Sequence, residues 1–334
     1  MDDRAGPQAL TGRRRALRVL AAVVITGGLA ALIVLAVPSR DVAAALEGFD
    51  PLWLAPMLAS YFATYVCRAA RFRGLGVPLS LATLSGVSAI HQFMNRIMPL
   101  RTGELAFPVL VRRLCGTNLV EGLTLVLLVH LLDLAAVALA FLAALLAVPG
   151  ARSAIGPVGT ALVAASLPTL LVGYLVLPSL GSRVAGRLAL RLRDRRPRWA
   201  ERLEHAATAL ASVRTVSRRA FVAAVVWTAL QWLATFAFFW ASLAAVGLSL
   251  GPADVIVGSS AAIVAGVAPV AGIGSFGTLE GGWAAGFVLV GLPAGAAVAS
   301  ALVMSGTSFG FALVLAGIAW IWLSRRRSSA RDPR

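Results

Sequence analysis

Lysine is absent from this chain: all 30 basic side chains are arginine. Acidic residues number 14, histidines 3 and cysteines 2, and only 13% of the 334 positions are charged. A soluble domain carries about 25% charged residues, so an ordinary soluble fold is excluded. Cys67 and Cys115 form no CxxC pair, so neither a disulfide framework nor a zinc site is indicated. The histidines lack HExxH spacing, and no metal or other cofactor is expected. GIGSFG at 272–277 matches GxGxxG, but no strand precedes it. The acidic residue needed about 20 positions later is missing, since 291–301 read GLPAGAAVASA.

What is present is oil: 59% of the residues are hydrophobic. Several runs exceed the ~18 apolar residues of a bilayer-spanning helix. The expected fold is all-α: a polytopic helical membrane protein with spans near 16–37, 52–67, 119–147, 154–177, 220–246 and 296–323. The run at 19–37 follows RRR at 13–15 and exceeds the ~7–15 residues of a signal h-region, so it reads as an uncleaved helix. Residues 1–15 read as an N-terminal tail, 16–323 as the transmembrane domain and 324–334 as a basic tail.

The net charge is +16, yet the arginines cluster beside apolar spans. A cytoplasmic face on anionic lipid headgroups suits that pattern, and nucleic-acid binding does not. All but Arg40 and Arg152 fall in 1–18, 68–113, 178–219 and 324–334. The expectation is an inner (plasma) membrane protein with both termini cytoplasmic. Within 178–219, Pro197 can open a helix whose Trp199, Leu203, Leu210 and Val213 form one apolar face. This amphipathic helix would lie on the membrane surface or be solvated. It could also bind a cytoplasmic partner. Oligomeric state is not encoded in any feature.

Two apolar stretches, 79–111 and 253–292, are broken by proline and glycine. Each follows an aromatic-bearing helix and a glycine (Gly76, Gly247), then reaches a proline about 22 residues on (Pro99, Pro269), then glycines and a glutamate. The preceding helices would run in opposite senses, giving two broken or re-entrant hairpins in an inverted repeat. Such breaks at matching places mark transporter binding sites. The candidate hinges are Pro99, Gly103, Pro269, Gly272, Gly274 and Gly277.

The first break is unusually polar: HQFMNRIMPLRTGELAF at 91–107. A charge at the bilayer centre costs at least ~2.5–3.5 kcal/mol, so these groups must pair or face a cavity. His91 and Asn95 share a helix face, and Arg101 and Glu104 are spaced to pair. Three readings stand: an anion site in which Arg96 or Arg101 holds a phosphate, an internal ion pair, or a shallow hairpin at headgroup level. Glu280 is nearly alone in an apolar region and should meet a cavity or an arginine of the other half. His130 and Asp133 are three apart on one helix, as a proton relay or a polar clasp.

The run NRIMPLRTGE is similar to the N-x3-P-x-R-x-G-E segment of the flippase-like family named after the transmembrane region of lysylphosphatidylglycerol synthase. Asn95, Pro99, Arg101, Gly103 and Glu104 match. GSFGTLE at 274–280 resembles that family's GGLGVFE through Gly274, Gly277 and Glu280. The resemblance covers roughly 52–323. It implies binding of a lipid headgroup, with Asn95, Arg96, Arg101, Glu104 and Glu280 as substrate-binding candidates, and movement between leaflets. Where the family often shows Glu-Arg-x-x-Asp, this chain has Val129, His130 and Asp133. The synthases' soluble aminoacyltransferase domain is not expected in a chain ending RRRSSARDPR, and no catalytic residue is assigned. The rival expectations are a membrane enzyme acting on a lipid-linked substrate and an accessory subunit for a cytoplasmic enzyme.

Overall fold

A computed structural model describes residues 47–213, 217–267 and 277–331, without the side chains of 99–101, 212, 213 and 327–331. The expected first span therefore lies outside the described residues. So do the hinges Pro269, Gly272 and Gly274. Among the described residues all regular structure is helical: α1 (Leu54–Gly74), α2 (Leu81–Ile97), α3 (Ala106–Cys115), α4 (Leu119–Leu145), α5 (Pro149–Leu192), α6 (Pro197–Val213), α7 (Arg218–Ala244), α8 (Pro252–Val267), α9 (Thr278–Leu289) and α10 (Ala294–Arg331). Four of these, α4, α5, α7 and α10, are long and apolar enough to cross a membrane. The chain is a polytopic helical membrane protein.

Local chemistry sets the boundaries. The Ser80, Asn118 and Ser217 side chains accept N–H bonds at the starts of α2, α4 and α7. Pro99 follows α2 and turns the chain into a 3-10 segment (Pro99–Leu105) before α3. Both stretches expected to be broken are thus pairs of short helices, α2–α3 and α8–α9.

Three expected boundaries move, one of them the end of the span placed at 296–323, which continues to Arg331. The span placed at 52–67 continues to Gly74 and carries Arg68, Arg71 and Arg73 on its last turns. The span placed at 154–177 continues to Leu192, so the expected cytoplasmic loop begins only there. This long helix kinks at Gly156, whose φ of 69° and ψ of 175° are not helical. The amphipathic helix α6 exists, but its face is displaced. Ala200 and Ala209 are buried, Leu210 sits against Gly181 of α5, and Trp199 is exposed. Its apolar side is covered by α5 and α4.

Packing follows a register of 171 positions that becomes 175 after the break. α1 and α7 lie side by side and antiparallel: Trp53, just before α1, meets Trp240, Tyr61 meets Phe238, and Arg71 bonds Thr228. Both helices end on a left-handed glycine, Gly76 and Gly247, 171 positions apart. Each has the same six-to-one bond behind it, Val77 N–H to Phe72 O and Leu248 N–H to Leu243 O. α2 and α8 start 171 apart, at Leu81 and Pro252, and α4 and α10 start 175 apart, at Leu119 and Ala294. α2 packs on α10, and α8 packs on α4. Gly86 lies against Ala319, and their counterparts Val257 and Ala144 share one buried cluster.

Small residues let the helices close up, as lipid-embedded packing requires. A Cβ on Gly258 would meet the Phe287 ring at 2.7 Å, and one on Gly282 would meet Ala261 O at 2.8 Å. Trp283, fully buried beside them, donates its indole N–H to Ser300 Oγ at 3.0 Å.

Candidate functional site

Two polar clusters sit inside the bundle. The first is centred on Arg71, which is 0% exposed. Its Nη1 donates to Asp133 Oδ1 at 2.6 Å and to Thr228 Oγ1 at 2.9 Å. Its Nη2 donates to Asp133 Oδ2 at 3.2 Å and to Gln231 Oε1 at 3.0 Å. Trp232 Nε1 donates to Asp133 Oδ1 at 3.2 Å. This fork joins α1, α4 and α7. A bidentate arginine satisfies a buried carboxylate better than a point charge could.

The second cluster is built on the α2–α3 break. Asn95 Nδ2 donates to Glu104 Oε1 at 2.9 Å, and His91 Nε2 lies 3.1 Å from Glu104 Oε2. The His91–Asn95 face expected from spacing is therefore formed, with Nδ2 and Nε2 3.3 Å apart. His130 reaches the same carboxylate from α4, Nε2 to Oε1 at 3.4 Å. Its Nδ1–H donates to Val126 O at 2.8 Å. With Nδ1 already protonated, the His130–Glu104 contact needs a second proton, on the ring or on the carboxyl.

Gly103 has a specific reason to be glycine. Its φ is ordinary, so the reason is proximity rather than the unusual conformation the sequence suggests. An added Cβ would lie 2.5 Å from both Asn95 N and Asn95 Oδ1. The 3-10 segment thus presses on the last turns of α2, and that contact delivers Glu104 to Asn95 and His91.

Between the clusters lies a cavity of about 260 Å³ lined by Arg68, Gln92, Arg96, Glu104, His130 and Trp232, among others. Arg68 Nη1 donates to Gln92 Oε1 at 3.2 Å. Among the described residues Arg68 has no ion-pair partner. Arginine donors facing a small cavity with polar walls can take an anion. Among the described residues no group of three or more His, Cys, Asp or Glu is placed to hold a metal.

The remaining expected residues divide. Asn95, Arg96, Glu104, His130 and Asp133 all line the cavity. His130 and Asp133 do not pair with each other: the first turns to Glu104 and the second to Arg71. The Arg101 side chain lies outside the described residues. Glu280 is buried and accepts the Gly277 N–H at 2.6 Å, so it caps its own helix; among the described side chains it has no arginine partner. Gly277 has φ +87°, which an L side chain resists.

Sequence reasoning missed Arg68, Arg71, Gln92, Thr228, Gln231 and Trp232. Arg68 and Arg71 were counted as cytoplasmic charge. The available signal was Gln231, a lone amide in the apolar run TALQWLATF, because such groups inside a span seek a polar partner.

Among curated proteins nothing matches the chain. The model of one family, described as the lysylphosphatidylglycerol synthase TM region, matches residues 19–317, starting well upstream of the expected 52. The chain belongs to the lysylphosphatidylglycerol synthase TM region family.

Proposed function

We propose that this chain binds the phosphate-bearing headgroup of an anionic lipid in the Arg68–Gln92 cavity and moves it between the leaflets of the plasma membrane. The observation that carries this reading is where the cavity sits. Gln92 and Ile263, Asn95 and Gly266, and Glu104 and Leu279 line it in pairs, at the same separations of 171 or 175 that relate the helices. A volume walled by equivalent residues of two antiparallel units lies on the axis that exchanges them. In an inverted repeat it would then be equally far from both membrane faces. The α1–α4 and α7–α10 units would form an inverted repeat, and rocking one against the other would open the cavity to each side in turn.

The charge comes from one unit alone. The counterparts of Arg68, Arg71, His130 and Asp133 are Phe239, Ser242, Ser305 and Ser308. Arg68 and Arg96 would meet the phosphate, with Arg101 as a further candidate. Glu104, held by Asn95 and His91, would position the turn and share a proton with His130. Asp133 stays committed to Arg71. Both carboxylates are tied up by these neighbours, which favours binding and transport over catalysis. The arginine distribution favours both termini in the cytoplasm, and the charged side of α6 would there be open to a partner.

The test is leaflet exchange of a fluorescent anionic phospholipid in proteoliposomes. A charge-assisted bond contributes ~1.5–3 kcal/mol, so Arg68→Ala should slow exchange about 10- to 100-fold at limiting lipid. Wild-type exchange in Arg68→Ala would remove the cavity from the path.

A further inference from the structure

A second volume adjoins the cavity. An apolar groove of about 940 Å³ runs between α4, α5 and α8. Its walls include Leu134, Ala138 and Phe141 of α4 and Ala261, Val264 and Ala265 of α8. Leu134 lines both the groove and the polar cavity, so the two volumes meet there. The groove opens outward: Leu162 and Val264 on its rim are 68% and 64% exposed. The third wall, α5, is largely exposed, with only 6% of its most apolar window buried.

The same register gives this groove a counterpart. Shifting Ala138, Phe141, Ala261, Val264 and Ala265 by 175 or 171 positions yields Leu313, Ala316, Ile90, Phe93 and Met94. All five line one smaller groove between α2 and α10, of about 280 Å³. Among the described residues the smaller groove lacks a third wall like α5, and Phe93 and Met94 fill space where the larger groove has Val264 and Ala265. Leu134, at the threshold of the cavity, has Phe309 as its counterpart. Phe309 packs on Phe93 with ring centroids 6.1 Å apart.

We propose that the α4–α8 groove holds an acyl chain of the lipid whose headgroup occupies the cavity, and that the lipid enters there sideways from the bilayer. The α2–α10 groove is the matching portal toward the other leaflet, shut in this conformation by Phe93 and Phe309. The inference rests on the headgroup reading above. It follows from adjacency: a headgroup in the cavity would have its chains leave past Leu134, the side chain that both volumes share. That route is apolar, as an acyl chain requires, and spares the chain contact with water.

The experiment uses the full chain in proteoliposomes with an anionic phospholipid carrying a diazirine on its acyl chain, and maps the photolabel by mass spectrometry. Label should concentrate on the facing sides of α4 and α8 and be displaced by unlabelled anionic phospholipid. Ala138→Trp, and from the opposite wall Ala165→Trp, fill the groove. Each should cut this label and leaflet exchange about 10-fold, while dihexanoyl phosphatidylglycerol, too short to need the groove, binds within about twofold of wild type. The pair Phe93→Ala and Phe309→Ala should bring label to the α2–α10 groove. Label spread evenly over the outer faces and indifferent to both tryptophans, in protein that melts like wild type, would overturn the portal assignment alone. Failure of the short-chain lipid to bind wild-type protein would instead overturn the headgroup reading, and this inference with it.

Discussion

Replacing Arg71 by methionine tests the buried fork. The substitution keeps most of the volume and removes the guanidinium. Asp133 then loses both arginine bonds and keeps only the Trp232 N–H at 3.2 Å. Two magnitudes compete. Interhelical hydrogen bonds in membrane bundles average only ~0.6 kcal/mol each, so four lost bonds would total about 2 kcal/mol. Leaving a buried carboxylate without its partner costs ~3–5 kcal/mol. Asp133 is 8% exposed, so little solvent reaches it and the second effect dominates. Arg71→Met should therefore destabilise the protein by about 3–5 kcal/mol. Arg71→Met with Asp133→Leu removes both charges and should recover most of that loss, as buried pairs replaced by apolar residues commonly do. The assay is reversible unfolding in mixed micelles, with the single and double variants in one thermodynamic cycle. A single variant within 0.5 kcal/mol of wild type, the usual surface range, would refute the reasoning. So would a double variant no better than the single.

Two other substitutions probe contact rather than charge. Gly103→Ala should cost ~1–3 kcal/mol through overpacking on Asn95 and reduce lipid exchange more than Glu104→Asp, because it displaces the whole turn; comparing melting with exchange across both variants checks this. Gly286→Val should separate α8 from α9 and cost at least ~1–3 kcal/mol, measured by micelle unfolding, whereas Gly306→Val, where a Cβ meets nothing within 4 Å, should cost far less.

The long apolar helices were legible in the sequence because hydropathy and length suffice for them. The α2–α3 break was legible too, since Pro99 and the polar run around it cannot be hidden in an unbroken span. Spacing alone placed His91 and Asn95 on one face. Arg71 was not legible. Its partners Asp133, Thr228 and Gln231 lie at least 62 positions away, and counting arginines by side treats each as solvated. The same blindness shortened α1 by a turn or more, because a hydropathy window stops where charges begin even when they are paired inside. The spacing in α6 puts Trp199 on an apolar face turned to the membrane surface, because apolar residues there are expected to seek lipid. The extended α5 covers that helix instead, through alanines and Gly181. The register between the two units showed in sequence only as matching glycines and prolines. Helix starts and caps made it measurable, and it in turn located the cavity and its two grooves.

Native mass spectrometry of the purified protein tests the central claim most directly, comparing wild type with Arg68→Ala and with Arg73→Ala on the same helix. Wild type and Arg73→Ala should retain an anionic phospholipid through delipidation, and Arg68→Ala should lose it. Equal retention in all three proteins, or lipids bound only in proportion to their abundance in the membrane, would contradict a headgroup site in the cavity.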